Sequence, residues 1–134
     1  MTASIDANIL LRAIMKDVPE QSKVATRLMG DLGRPVTVAD QALIETAFAL
    51  ENHYQIDRAN CASLIEELLD LPTISDEHTV FQAAANFWAS HPKLSLADCY
   101  LAETAVANQA TPLWTFDHKL ANQHPAAQIP ALMA

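Results

Sequence analysis

Short apolar runs alternate with long stretches of helical spacing, and this alternation constrains the fold more than any other feature of the chain. Residues 2–5, 35–38 (PVTV) and 112–116 (PLWTF) have the length and content of strands. Residues 72–75 (PTIS) are a weaker candidate, and the tail near Ile129 offers an edge strand. Between them, apolar residues recur at helical spacing through Ile9, Leu10, Ile14 and Met15, then through Val24, Leu28 and Leu32 after Pro19. Gly30 and Gly33 are expected to end that second helix. Asp40 is expected to cap a helix through Ile44, Ala47, Phe48 and Leu50, and another helix is expected over residues 57–69. Ser75 or Asp76 is expected to cap the helix carrying Val80, Phe81, Ala84, Phe87 and Trp88. Ser95 and Asp98 are expected to open one through Tyr100 and Val106, and a short helix through Leu120 follows. Short strands joined by helices imply crossover connections, hence an α/β doubly wound parallel sheet of four or five strands with helices on both faces. In such sheets, sites form outside the carboxyl ends of the strands.

With 134 residues, the chain is expected to fold as a single domain, 1–134. Cys61 and Cys99 are too few and too far apart for a disulfide framework or a zinc ligand set, which points to a reducing compartment. No stretch approaches the ~20 apolar residues of a membrane span, and no signal-type segment is evident, so a cytoplasmic location is expected. The formal net charge of -8 excludes a broad basic surface. Residues 1–58 carry eight acids and six bases, whereas residues 59–134 carry eight acids and two bases, so any basic contact surface should come from the first half.

Most acids, such as Glu66, Glu67, Asp70, Asp76 and Glu77, fall on polar helix faces or at helix starts, where a solvated surface is the ordinary fate. Four stand out. Asp6 directly follows the first strand and Asp117 follows PLWTF, which puts both at strand carboxyl ends; helix capping is an equally good account of each. Glu45 has Ala42, Phe48 and Ala49 as its helical neighbours and is expected on an apolar face, where an unpaired charge is costly. Asp98 stands one turn before Leu101 and Ala102, with capping beside Ser95 as its alternative role. Four carboxylates brought together need a cation. With no His or Cys cluster beside them, the hard ion Mg²⁺ or Mn²⁺ is expected, and the matching chemistry is phosphodiester hydrolysis by a metal-activated water.

The segments SIDANILLR, ALIETAFALENHY, LADCYLAETA and LWTFDHKLA, in this order, resemble the PIN domain, and more narrowly the VapC-type toxin ribonucleases of type II toxin–antitoxin systems. Asp6, Glu45, Asp98 and Asp117 match the acidic positions of that family. The resemblance implies a PIN-like doubly wound sheet, an endoribonuclease dependent on Mg²⁺ or Mn²⁺, an RNA substrate, a homodimer and inhibition by a small cognate antitoxin. Asn8 and Thr115 fall where the family often has polar residues and are candidates for supporting hydrogen bonds, although Thr115 could equally be satisfied by backbone. Arg12 and Lys16, one helical turn apart, are candidate phosphate contacts, with solvated surface as the alternative.

Trp88, Phe81 and Phe87 read as core or subunit-interface residues rather than stacking platforms, and His118 is expected to face outward. Two rival functions remain open. One is a PIN-like module that binds RNA or protein without cleaving it. The other is a phosphoacceptor receiver domain, which needs an acidic pair at the first strand; here Asp6 is followed by Ala7 and Asn8.

Overall fold

A computed structural model describes residues 2–31 and 34–131 and divides the chain into two compact units, residues 1–78 and 79–134. Leu32 and Gly33, expected at the end of the second helix, lie outside the described residues.

In the first unit, β1 (Ala3–Ile5) pairs in parallel with β2 (Val36–Val38), Ala3 opposite Val36 and Ile5 opposite Val38. On its other side Val36 makes a parallel bridge to Ile74, with Val36 N–H donating to Thr73 O at 2.8 Å and Ser75 N–H donating to Val36 O at 3.0 Å. The PTIS segment therefore contributes a bridge, and β2 is central. Crossover connections supply α1 (Ala7–Met15) and α2 (Pro19–Thr26), which runs into a π-helical turn (Arg27–Asp31). After β2 come α3 (Asp40–Asn52) and α4 (Arg58–Leu69). α1 packs on α2 and α3, and α3 packs on α4. Leu10, Val36, Val38, Leu43, Leu50 and Ile65 form the fully buried core of this unit.

The second unit holds α5 (Thr79–Ala89), α6 (Leu96–Ala107), β3 (Leu113–Trp114), α7 (His118–Gln123) and β4 (Ala127–Gln128). α5 buries Phe81, Ala84, Ala85 and Trp88, an apolar stripe at helical spacing, and packs on α6, which buries Leu96, Cys99, Ala102 and Ala105. β3 and β4 pair in parallel, Leu113 opposite Ala127. His124, which caps the end of α7, is buried. Its Nδ1 accepts Ala126 N–H at 3.0 Å, its Nε2 donates to Glu103 of α6 at 2.5 Å, and its ring lies 4.4 Å from that of Phe87. Phe87 also stacks on His91 at 3.8 Å, so the α5 aromatics are structural.

The fold is α/β, with short strands and parallel pairing as expected. Among the described residues the ladders are two-stranded, plus the Ile74 bridge, rather than the four or five strands of one sheet read from the sequence. PLWTF forms a strand over Leu113 and Trp114 only; Thr115 N–H still donates to Gln128 O at 3.0 Å, and the Thr115 hydroxyl then accepts Asp117 N–H at 2.9 Å. Two caps differ from expectation. Asp40 is the first helical residue, with Ala39 at the N-cap. Asp76 caps no helix: its carboxylate accepts Val38 N–H at 3.1 Å and lies 3.1 Å from Nε2 of buried His78, which also bonds Val38 O at 2.7 Å. Among the described residues no helix is long and apolar enough to cross a membrane.

Cys61 and Cys99 are buried, and neither is in a disulfide. Burial, helped by the nearby Glu51 and Asp57 carboxylates, pushes the Cys61 thiol up to about 11. Below the ordinary thiol value of 9.0 both folded and unfolded chains carry it protonated; above that value the unfolded thiol ionises first. Stability is therefore expected to fall as pH rises from 9.0 to about 11 and then to level. Urea unfolding at pH ~8 and pH ~10.5 checks this, because a Cys61→Ala chain should show a smaller loss between the two.

Candidate active site

Asp6 and Glu45 belong to the first unit, and Asp98 and Asp117 to the second. Asp6 directly follows β1 and is the N-cap of α1; its Oδ1 accepts Ile9 N–H at 3.0 Å. Asp117 does the same for α7, its Oδ1 accepting Lys119 N–H at 2.9 Å and Leu120 N–H at 3.4 Å, while its own N–H is fixed by Thr115. Both positions thus meet the capping account, and in both the second oxygen, Oδ2, has no partner among the described residues. Thr115 holds the backbone at Asp117, so its hydroxyl is satisfied by the main chain.

Asp98 lies in the first turn of α6, where its N–H donates to the Ser95 hydroxyl at 3.1 Å. Its carboxylate is half-buried and, among the described residues, has no hydrogen bond or ion pair. Glu45 departs from expectation. The buried side of α3 consists of Ala42, Leu43, Thr46, Ala47 and Leu50, which leaves Glu45 exposed beside Phe48, itself 68% exposed. Of the apolar neighbours of Glu45, Ala42 is buried, but Phe48 is not and Glu45 lies on its exposed side.

The donor chemistry fits a hard divalent cation. Each of the four offers at least one carboxylate oxygen without a protein partner, and among the described residues no Lys or Arg is ion-paired to any of them. Within either unit, the described residues form no group of three or more His, Cys, Asp or Glu able to hold a metal.

In the first unit, Asp6, Asn8, Ile9 and Arg12 of the α1 segment face Glu20, Gln21 and Val24 of α2 across an open pocket of ≈ 470 Å³. Asp6, Asn8 and Arg12 are therefore brought together. Glu20 and Gln21, which the sequence does not single out, join them because α2 folds back on α1. Arg12 is tied down: Nε donates to Gln21 Oε1 at 2.8 Å, and Nη1 reaches Asp17 at 3.3 Å and the Tyr54 hydroxyl at 3.4 Å. Lys16 is not with it. It leaves α1 in the left-handed conformation (φ 55) as the C-cap residue and lines a different pocket. His118 is exposed, as expected.

The Tyr54 hydroxyl donates to Asp17 at 2.8 Å and, with the Asp17 backbone N–H, Arg12 and His53, holds that carboxyl below its ordinary 3.8 despite an opposing desolvation. A carboxyl depressed in the folded state contributes stability above its unfolded value, and loses it as pH falls through the folded one. Tyr54→Phe is expected to move the Asp17 titration up toward 3.8, read from carboxyl chemical shifts in NMR.

No curated protein matches the chain. A family model does match, that of the PIN domain, over residues 3–123, a span that includes all four acids and reaches from the first unit into the second as far as the end of α7. Short parallel strands, helical crossovers and helix-capping carboxylates after β1 and β3 agree with that nuclease fold, and the chain belongs to the PIN domain family.

Proposed function

We propose that the chain is a divalent-metal-dependent endoribonuclease acting as the toxin of a toxin–antitoxin pair, with residues 1–134 working as one nuclease domain. Asp6, Glu45, Asp98 and Asp117 are its metal-binding and catalytic carboxylates, and Mg²⁺ or Mn²⁺ is the cofactor. The observation that carries this reading is that the PIN match spans all four acids, while each keeps a carboxylate oxygen that no described protein group uses.

When bound, the ion neutralises charge on phosphate oxygens and activates water. The chain's own groups supply the rest. The caps of α1 and α7 fix Asp6 and Asp117 through one oxygen each and leave the other to act. The Thr115 hydroxyl sets the backbone at Asp117, and the Asn8 amide in the Asp6 pocket is placed to bond substrate or water. Arg12 and Lys16 are the substrate-phosphate contacts of this reading; Arg12, held by Gln21 and Asp17, needs little further ordering. Exposed Phe48 and Phe116 give a homodimer partner or antitoxin apolar side chains to cover, and the acidic site suits a basic antitoxin segment.

The test is cleavage of a panel of structured RNAs by the purified chain with Mg²⁺ or Mn²⁺ and with chelator. Metal-dependent cuts that vanish in Asp6→Asn and Asp98→Asn support the proposal. Cleavage that persists in chelator would sink it, and RNA binding with no cleavage in any metal would leave a non-cleaving PIN-like module.

A further inference from the structure

α2 is a wall shared by two pockets. Glu20, Gln21 and Val24 face Asp6, whereas Pro19, Ser22, Lys23, Thr26 and Arg27, with Lys16 from the end of α1, line an open pocket of ≈ 630 Å³. This second pocket gathers three of the eight basic residues of a chain whose net charge is -8. Lys23 and Arg27 lie one helical turn apart, and the left-handed turn at Lys16 carries the third cation to them. Among the described residues none of the three has an ion pair. Asp17, the acid next to Lys16, is already committed to Tyr54 and Arg12.

Ser22 supplies an independent observation. It is 6% exposed and forms part of the pocket wall, and its Oγ has no hydrogen-bond partner among the described residues. Elsewhere the same fold satisfies helical hydroxyls through the carbonyl four residues earlier: Thr46 donates to Ala42 O and Thr104 to Tyr100 O, both at 2.7 Å. A buried hydroxyl without a partner is a standing cost that a ligand oxygen can relieve. Three cations and a free hydroxyl donor are the chemistry that binds phosphodiester oxygens.

We propose that this pocket is a docking site for RNA backbone phosphates, in which Lys16, Lys23, Arg27 and Ser22 hold the strand on one side of α2 while Asp6 faces it on the other. The inference rests on the endoribonuclease reading for its choice of RNA. It explains how an acidic chain retains a polyanion: the positive charge is concentrated beside the acids rather than spread over the surface.

The test is fluorescence anisotropy of a short labelled oligouridylate with the full chain in chelator, so that binding is read without cleavage, across a salt titration. Lys23→Gln/Arg27→Gln is expected to weaken binding on the order of tenfold at ~50 mM salt and to flatten the log–log salt slope by about 1.4, the share of two single-strand phosphate contacts. Ser22→Ala is expected to weaken binding a few-fold without lowering the thermal midpoint, since it removes an unsatisfied group. Equal affinity and slope in the double variant, with its fold retained by circular dichroism, would overturn the proposal. So would RNA binding that is unchanged while binding to anionic phospholipid vesicles is lost, which would assign the pocket to a membrane surface. The two readings fail separately: a charge-dependent loss of binding in a chain that never cleaves keeps the pocket and removes the nuclease, whereas cleavage with unaltered binding does the reverse.

Discussion

Asp6→Asn and Asp98→Asn are each expected to lower metal-dependent RNA cleavage by about 10²–10³-fold or more, the scale on which removing a charge-stabilising group acts, while leaving the fold unchanged. The geometry makes this a clean experiment. At Asp6 the cap uses Oδ1 and Ile9 N–H, and Asn caps a helix as well as Asp does. The change therefore removes a charge and keeps a hydrogen bond. At Asp98 the capping interaction runs through the backbone N–H to Ser95, so the side chain can change without touching it. Ser95→Ala provides the contrast, since it should cost ~1 kcal/mol of stability as a lost cap with little effect on cleavage per folded molecule. Rates measured on the variants beside circular dichroism and urea midpoints distinguish the two behaviours. Full activity in Asp98→Asn would remove the carboxylate mechanism.

Trp88→Ala is expected to produce the largest loss of stability, about 3–5 kcal/mol, because a large side chain leaves a cavity that surrounding helices close only in part. Trp88 is 2% exposed on the buried stripe of α5, the helix that packs on α6. Domains of this kind are held by only ~5–15 kcal/mol in total, so the variant should be partly unfolded near its growth temperature. Trp88→Phe refills much of the space and should recover more than half of the loss. Denaturant titration followed by circular dichroism measures both. A loss under ~1 kcal/mol for Trp88→Ala would mean that the α5 stripe is not packed as described.

Local signals were readable from the residues alone. Pro19 at a helix start, the Ser95 cap and the PVTV strand all depend on interactions within a few positions, and all are present, the strand over Val36–Val38. Features decided by distant partners were not. Asp76 has the form of a cap but is drawn to Val38 N–H and His78, which no local pattern announces. Glu45 shows the limit of judging burial from neighbours, because Phe48, whose hydrophobicity suggested an apolar face, is itself exposed. Arg12 and Lys16 are four apart and look like one face of a helix. The backbone turns left-handed at Lys16, so the two line different pockets. Lys23 and Arg27, which the sequence reading does not single out, join Lys16 and the Ser22 hydroxyl only in the fold.

The short helix α7 is held at both extremities. Asp117 secures its beginning and His124 its end, and His124 is anchored to Glu103 of α6 and to Ala126 ahead of β4. So brief a segment, only six residues long, has no room to bend between such fixings and serves as a rigid bracket. A substitution at Glu103 is therefore expected to displace Asp117 at the opposite end of that bracket, through His124.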